Sequence, residues 1–334
     1  MKARFYKQSF QFKRPSGTSR GILTEKHSWL IEIWNESNPS IIGVGECSVI
    51  PGLSPDFIHD SQYEAELSAI CNDLSRDLSD FPSIEFGLET ALLDLQHGGK
   101  GIIFDNDFSK GQQQIPINGL IWMGTEDFMR EQIEEKIAAG FSTIKLKIGA
   151  IDFETEVKLL GSIRKRFDAN QITLRVDANG AFSPEEALEK LKTLSEFDIH
   201  SIEQPIKAGQ WNEMAKLCTF TPLDIVLDEE LIGINKFEEK IQLLDTIKPQ
   251  YIILKPSLHG GIKGCKEWIL LSEARSIPWW ITSALESNIG LDAICQFTAE
   301  YKNELPQGLG TGSLYVKNTP TTLTVENGMI FRSF

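Results

Sequence analysis

From about residue 115 the sequence keeps a regular beat. Short apolar strands (PINGLIW, STIKLKI, ITLRVDA, IHSIEQP, DIVLDEE, QYIILKP and PWWITSA) alternate with helical stretches, and a strand-like PQGLGTG closes the series. Helices that separate every pair of strands imply parallel crossovers, since parallel neighbours need a long connection. Two of these helices show their ends plainly. EDFMREQIEEKIAAG stops at Gly140, and SPEEALEKLKTLSEF opens with Ser183 as N-cap, Pro184 in the first turn and then Glu185 and Glu186. Eight strands with seven helices between them close most economically into an α/β barrel, a modified TIM barrel of (β/α)7β type. An open doubly wound sheet is the alternative.

The first hundred residues follow a different pattern. ARFYKQSFQF and SWLIEIWN alternate as strands do, GVGECSVIPGLSP is punctuated by Gly and Pro, and helical patterns follow near YEAELSAICNDLSRDL and SIEFGLETALLDLQHG. Strands first and helices afterwards suggest a small α+β unit. The expected division is an α+β capping domain over 1–112, the barrel over 113–312, and a tail over 313–334 that returns to the capping domain.

Charge and cysteine usage narrow the class. The excess of 47 acidic over 33 basic residues gives −14, which disfavours nucleic acid or an anionic membrane as partner. The five cysteines are scattered, with no CxxC or Cys/His cluster, so neither a disulfide framework nor a zinc site is signalled. The N-terminus lacks the apolar core of a signal peptide, and no stretch reaches membrane-spanning length. The expectation is a soluble, cytoplasmic protein.

Charged residues interrupt the barrel strands at a regular place. Lys147 lies in the second strand, Asp177 in the third, Glu203 in the fourth, Asp228 in the fifth and Lys255 in the sixth, at intervals of 25–30 residues. Each stands at or near the C-terminal end of its strand, the rim on which barrel active sites are built. Taken singly, each acid reads equally well as a loop cap or surface group, and Asp177-Ala-Asn-Gly as a turn. Five in register in consecutive strands is a stronger signal.

The charges also sort by type. Three carboxylates converging in one mouth repel one another unless a cation neutralises them. An all-oxygen set without His or Cys suits Mg2+ or Mn2+, with positions left for water or substrate. Asn179 shares the face of Asp177 as a hydrogen-bonding neighbour, and Glu229 and Glu230 read as solvent-facing or supporting groups. Lys147 and Lys255 would flank a small-molecule carboxylate substrate. Lysine acts as a base near neutral pH only when desolvation or nearby positive charge lowers its pKa, and Lys145, on the same strand face as Lys147, supplies such charge. The chemistry indicated is α-proton abstraction beside a metal-held carboxylate.

KLK, DAN, EQP, DEE and LKP at these spacings resemble the enolase superfamily in its muconate-lactonizing subgroup. The resemblance implies Asp177, Glu203 and Asp228 as ligands of Mg2+, with Lys147 and Lys255 as the lysines on either side. GVGECSVIPGLS looks like the capping loop over the substrate, which brings in Gly52 and Ser54. FGLETALLDL looks like the helix after it, and GLGTGSLY like the return from the barrel. ITSALESNIG is similar to the S-x-L-E-S signature of the o-succinylbenzoate synthase branch. It offers Ser283 and Leu285 where dipeptide epimerases carry Asp-x-Asp for a substrate ammonium. By resemblance the reaction is dehydration of 2-succinyl-6-hydroxy-2,4-cyclohexadiene-1-carboxylate to o-succinylbenzoate, a step of menaquinone synthesis. An N-acylamino acid racemase or dipeptide epimerase on the same scaffold is the alternative, and a catalytically silent barrel serving as a binding module is the non-enzyme one.

Other polar residues carry less. The five histidines include no pair at metal spacing, and His259 reads as a loop residue near the mouth. Trp279 and Trp280 read as packing between barrel and helices.

Overall fold

The computed structural model describes residues 1–18 and 21–334. The N-terminal part is an antiparallel sheet of β1 (Lys2–Thr18), β2 (Gly21–Asn35) and β3 (Asn38–Ser48) in that order, followed by α1 (Asp60–Asn72) and α2 (Pro82–Gln96). The alternation in SWLIEIWN sets Trp29, Ile31 and Ile33 on one face, where they pack with Val49, Tyr63, Leu67 and Ile84 in a core of their own. The Gly-rich stretch that reads as punctuation is a strand. Gly43 and Gly45 face α2, and a Cβ on Gly45 would stand 1.9 Å from the Gly87 carbonyl oxygen, so strand and helix meet backbone to backbone.

The beat then unfolds as read. After β4 (Ile115–Pro116) come β5 (Gly119–Ile121), α3 (Glu126–Ala138), β6 (Thr143–Lys147), α4 (Phe153–Arg164), β7 (Thr173–Asp177), α5 (Pro184–Ser195) and β8 (Ile199–Glu203). They continue through α6 (Trp211–Phe220), β9 (Ile225–Leu227), α7 (Phe237–Ile247), β10 (Tyr251–Leu254), α8 (Gly261–Glu273), β11 (Trp279–Ile281) and α9 (Asn288–Thr298). Strands β5 to β11 form one curled parallel sheet in sequence order. Outward-facing Ile144, Leu146, Leu174, Val176, Ile202 and Ile252 are buried against the helices. Inside, Val226, Ile253 and Trp280 fill the floor, and the Arg175 guanidinium lies 4.0 Å over the Trp280 ring. Trp279 instead points outward onto Tyr301.

The eighth strand expected at PQGLGTG shrinks to two bridging residues. Gln307 bridges Ile117 on one side, and Gly308 bridges Thr282 on the other. The Asn118 N–H donates to the Gln307 carbonyl at 2.9 Å and the Ser283 N–H to the Gly308 carbonyl at 3.0 Å, so the ring closes here. A Cβ on residue 308 would fall 1.4 Å from Thr282 Oγ1, which leaves room only for glycine. The fold is therefore a modified TIM barrel with an antiparallel capping sheet.

The tail meets the N-terminal sheet where Tyr315 bridges Phe12 and the Val316 N–H donates to the Gln11 carbonyl. Its hairpin of β12 (Leu323–Glu326) and β13 (Met329–Arg332) pairs with β4 rather than with β1–β3. No described helix is long and apolar enough to cross a membrane.

Candidate active site

Strand register assembles the site. Lys147 lies opposite Asp177 in the β6–β7 ladder, and Asp177 opposite Glu203 in the β7–β8 ladder. Residues paired in register project to the same face, so these three groups stand in a row along the inner rim. Asp228 and Lys255 follow at the residues just past β9 and β10. Because β6 and β10 lie four positions apart in a ring of eight, Lys147 and Lys255 face each other across the mouth. The three strands between them carry the carboxylates.

Ion pairs knit the row together. Lys147 Nζ donates to Asp177 Oδ2 and Asn179 Oδ1, each at 2.8 Å. Lys145 Nζ lies 2.8 Å from the same Asp177 oxygen and also binds Glu203. Two ammonium groups on one oxygen stand at most twice that distance apart, which places Lys145 close to Lys147 as the pleat implied. Lys255 Nζ pairs with Asp228, and Asn179 also donates to Glu229 Oε1 at 3.0 Å.

Burial works against the charge of Asp177, Glu203, Asp228, Lys145 and Lys255 alike. For Asp177 the lysines overcome it: Lys145 and then Lys147 hold its carboxyl well below the usual range. Lys255 likewise draws Asp228 down. Glu203, buried and beside the Asp177 charge, is pushed well above its ordinary value. Burial alone would lower Lys145 and Lys255, but the facing carboxylates prevail and both are raised.

Among the described residues, no three His, Cys, Asp or Glu side chains form a ready cage around one point. Instead, ammonium groups bridge the carboxylates. Asp177, Glu203 and Asp228 are nevertheless all fully buried, and Glu203 Oε1 and Asp228 Oδ1 have no hydrogen-bond partner among the described residues. Buried, unmatched carboxylate oxygens are costly. A hard oxygen-seeking dication fits them, whereas zinc would call for nitrogen or sulfur.

A cavity of about 180 Å³ opens over the row. Lys145, Lys147, Lys255 and Asn179 form its polar side, and Leu23, Ile50, Leu53, Leu120, Trp122 and Leu285 its apolar wall. It suits a small molecule with a carboxylate at one end and a ring or chain at the other.

Not every expected contact is found. Gly52 and Ser54 do not line the cavity; their loop presents Ile50, Pro51 and Leu53. Ser54 is turned inward, its hydroxyl accepting from the Ile50 N–H at 2.8 Å to fix the turn. Ser283 lines the cavity, but its hydroxyl donates to Glu286 at 2.6 Å and accepts from the Leu285 N–H and from Thr311. Leu285 presents its side chain from a left-handed backbone, φ 62°. Glu230 is buried rather than solvent-facing, and accepts from the Gly209 N–H at 2.8 Å.

Gln204 escaped the sequence reading, and His259, read there as a loop residue near the mouth, also supports the site. Gln204, also left-handed (φ 40°), accepts from the Asp228 and Glu230 N–H groups and fixes the end of β9. Its only signal was a polar residue between Glu203 and a proline. His259 is buried, and its Nδ1 accepts from the Lys255 N–H at 2.9 Å, bracing the backbone that carries that lysine.

Residues 128–332 match the family described as Enolase C-terminal domain-like. The chain is 47% identical to the o-succinylbenzoate synthase of Desulfotalea psychrophila over 99% of this chain and 98% of that one. It superposes on the crystal structure of MenC from that organism with a TM-score of 0.88 at 43% identity, covering 99% of each chain. More distantly, it is 24% identical to the L-Ala-D/L-Glu epimerase of Bacillus subtilis over 81% of this chain and 74% of that one.

Proposed function

The chain belongs to the Enolase C-terminal domain-like family, and we infer that it is a lyase acting as an o-succinylbenzoate synthase. It dehydrates 2-succinyl-6-hydroxy-2,4-cyclohexadiene-1-carboxylate in the cytoplasmic step of menaquinone synthesis. The near-full-length identity of 47% to an o-succinylbenzoate synthase supports this. The observation that carries the mechanism is the placement of Lys147 and Lys255 across one mouth, with three buried carboxylates on the strands between. Residues 1–112 serve as the cap and 113–312 as the barrel, and the tail joins the cap at Tyr315 before its hairpin pairs with β4.

Asp177, Glu203 and Asp228 would hold Mg2+, or Mn2+ in its place. When bound, that ion supplies Lewis-acid stabilisation to a substrate carboxylate gaining negative charge. Lys147 Nζ, in its amine form, takes the proton α to that carboxylate as the C–H bond breaks. The electron pair forms the new ring double bond while the C–O bond to the hydroxyl breaks. Lys147 then returns its proton to the departing hydroxyl on the same face, releasing water. Asn179, 2.8 Å from Lys147 Nζ, keeps the lysine aimed, and Lys145 places a fixed positive charge beside it through the shared Asp177 oxygen. Lys255 lies over the opposite ring face as a cation–π partner. The apolar wall with Leu285 shields the ring from water, and the ring's aromatisation favours product.

Two facing lysines also suit proton exchange on both faces of one carbon, the chemistry of a racemase or epimerase. The test is incubation with the cyclohexadiene substrate and Mg2+, following the loss of its absorbance. Turnover is expected, and none with Mg2+ present would overturn the dehydratase. Deuterium uptake at the α-carbon of N-acylamino acids or dipeptides in D2O, without dehydration, would favour the second reaction.

A further inference from the structure

The segment Ser283–Ser287, which carries Leu285 into the cavity wall, is held from outside the barrel. Glu46 on β3 is fully buried. Its Oε1 accepts from the Ser287 N–H at 2.8 Å, and its Oε2 from the Ser287 hydroxyl at 2.5 Å and the Gly290 N–H at 2.9 Å. The carboxylate thus sits on the first turn of α9 from the capping sheet, where the helix end favours negative charge. A Cβ on residue 290 would come within 2.9 Å of Glu46 Oε2, so glycine there permits the approach.

The neighbouring residues are tethered in the same way. Ser48 of β3 donates to the Ala284 carbonyl at 3.4 Å, and buried Lys26 of β2 donates to Ser48 Oγ at 2.6 Å. Tyr315 donates to the Leu285 carbonyl at 2.6 Å. Within the barrel, Glu286 accepts from Ser257 and Ser283, both at 2.6 Å. A left-handed φ at a branched aliphatic residue persists only where its surroundings enforce it, and these tethers do so at Leu285.

We propose that Glu46 is a positioning residue for substrate recognition: through Ser287 and Gly290 it sets the segment Ser283–Ser287, so the capping sheet decides where Leu285 meets the substrate. The proposal rests on the reading of Leu285 as a substrate-facing wall residue. Glu46→Gln keeps the shape but offers an NH2 to one of three donors, breaking at least one bond.

The test uses the full chain with Mg2+ and compares Glu46→Gln with Leu285→Ala. Read-outs are kcat and KM for the cyclohexadiene substrate and hydrogen exchange of the Leu285–Gly290 amides. Glu46→Gln is expected to speed exchange at Ser287 and Gly290 and to raise KM about tenfold, the scale of one lost buried hydrogen bond, with kcat within about threefold. Unchanged exchange, or faster exchange with an unchanged KM while Leu285→Ala raises KM, overturns the proposal. If faster exchange occurs and neither variant moves KM, the substrate-facing reading of Leu285 has failed, and the recognition role falls with it. Should Glu46→Gln not fold, Ser287→Ala removes one donor to Glu46 together with the cap on the Ile289 N–H and is expected to raise KM at least about threefold; a KM equal to that of the parent overturns the proposal.

Discussion

Lys145 and Lys147 sit two residues apart on one strand face, yet their surroundings divide their roles. Lys145 is shut between Asp177 and Glu203, while Lys147 reaches the rim and donates to Asp177 and Asn179. We read the deeper lysine as a fixed counter-charge and the outer one as the group that reaches a substrate proton. Among the carboxylates, Asp228 keeps one oxygen unmatched in the interior. Asp228→Asn is expected to weaken Mg2+ binding by at least the roughly 10–100-fold that loss of a ligand's support costs; calorimetric titration giving an unchanged affinity would count against its being a ligand. The rim residues were legible because each ends a strand with a charge, and five such ends line up only in a parallel barrel. Gly52 and Ser54 do not line the cavity, because turn residues report how a loop bends and not which side chains it turns inward. Ile50, Pro51 and Leu53, which do line the cavity, look like any apolar loop in the sequence.

At the scale of elements, backbone contact explains what the hydrophobic pattern misread. Gly43 and Gly45 punctuate a strand because α2 lies directly on it, and the closing strand is short because Gly308 passes under Thr282. Gly45→Ala is expected to cost about 1–3 kcal/mol or more through overpacking, read as a lowered Tm; an unchanged Tm would show that α2 can shift at little cost. Helix α2 also reaches the barrel. Glu89 accepts from the Ile262 and Lys263 N–H groups at the start of α8, at 2.5 and 3.1 Å. Burial pushes both Glu85 and Glu89 up to about 7, with Glu89 adding to the shift of Glu85. A carboxyl raised in the fold holds its proton more tightly there than in the unfolded chain. The stability it contributes is present below about pH 4.3, the ordinary value, and is lost as pH rises through about 7. The urea midpoint is therefore expected to fall between about pH 5 and pH 8, and Glu85→Gln to flatten that fall. An equally steep fall in the variant would assign it to other groups.

Across the whole molecule, two hydrophobic cores, one in the cap and one around the barrel, meet at a seam of Phe10, Phe12, Trp122, Leu285 and Tyr315. The cavity lies along that seam, so barrel residues supply the charges while cap and tail supply much of the apolar enclosure. Barrel and cap were readable as separate patterns, each with its own period. Their contact was not, because residues from β1, the first barrel strand, the loop after β11 and the tail converge there without any local sequence signal. On this reading proton removal depends on one side chain, Lys147, while the buried acids would hold Mg2+. Its most direct test is turnover of the cyclohexadiene substrate by the parent protein and by Lys147→Ala, with Mg2+ binding measured on both. The prediction is loss of turnover in the variant by at least the roughly 10²–10⁴-fold of a missing general base, with Mg2+ affinity nearly intact. Normal turnover by Lys147→Ala would contradict it.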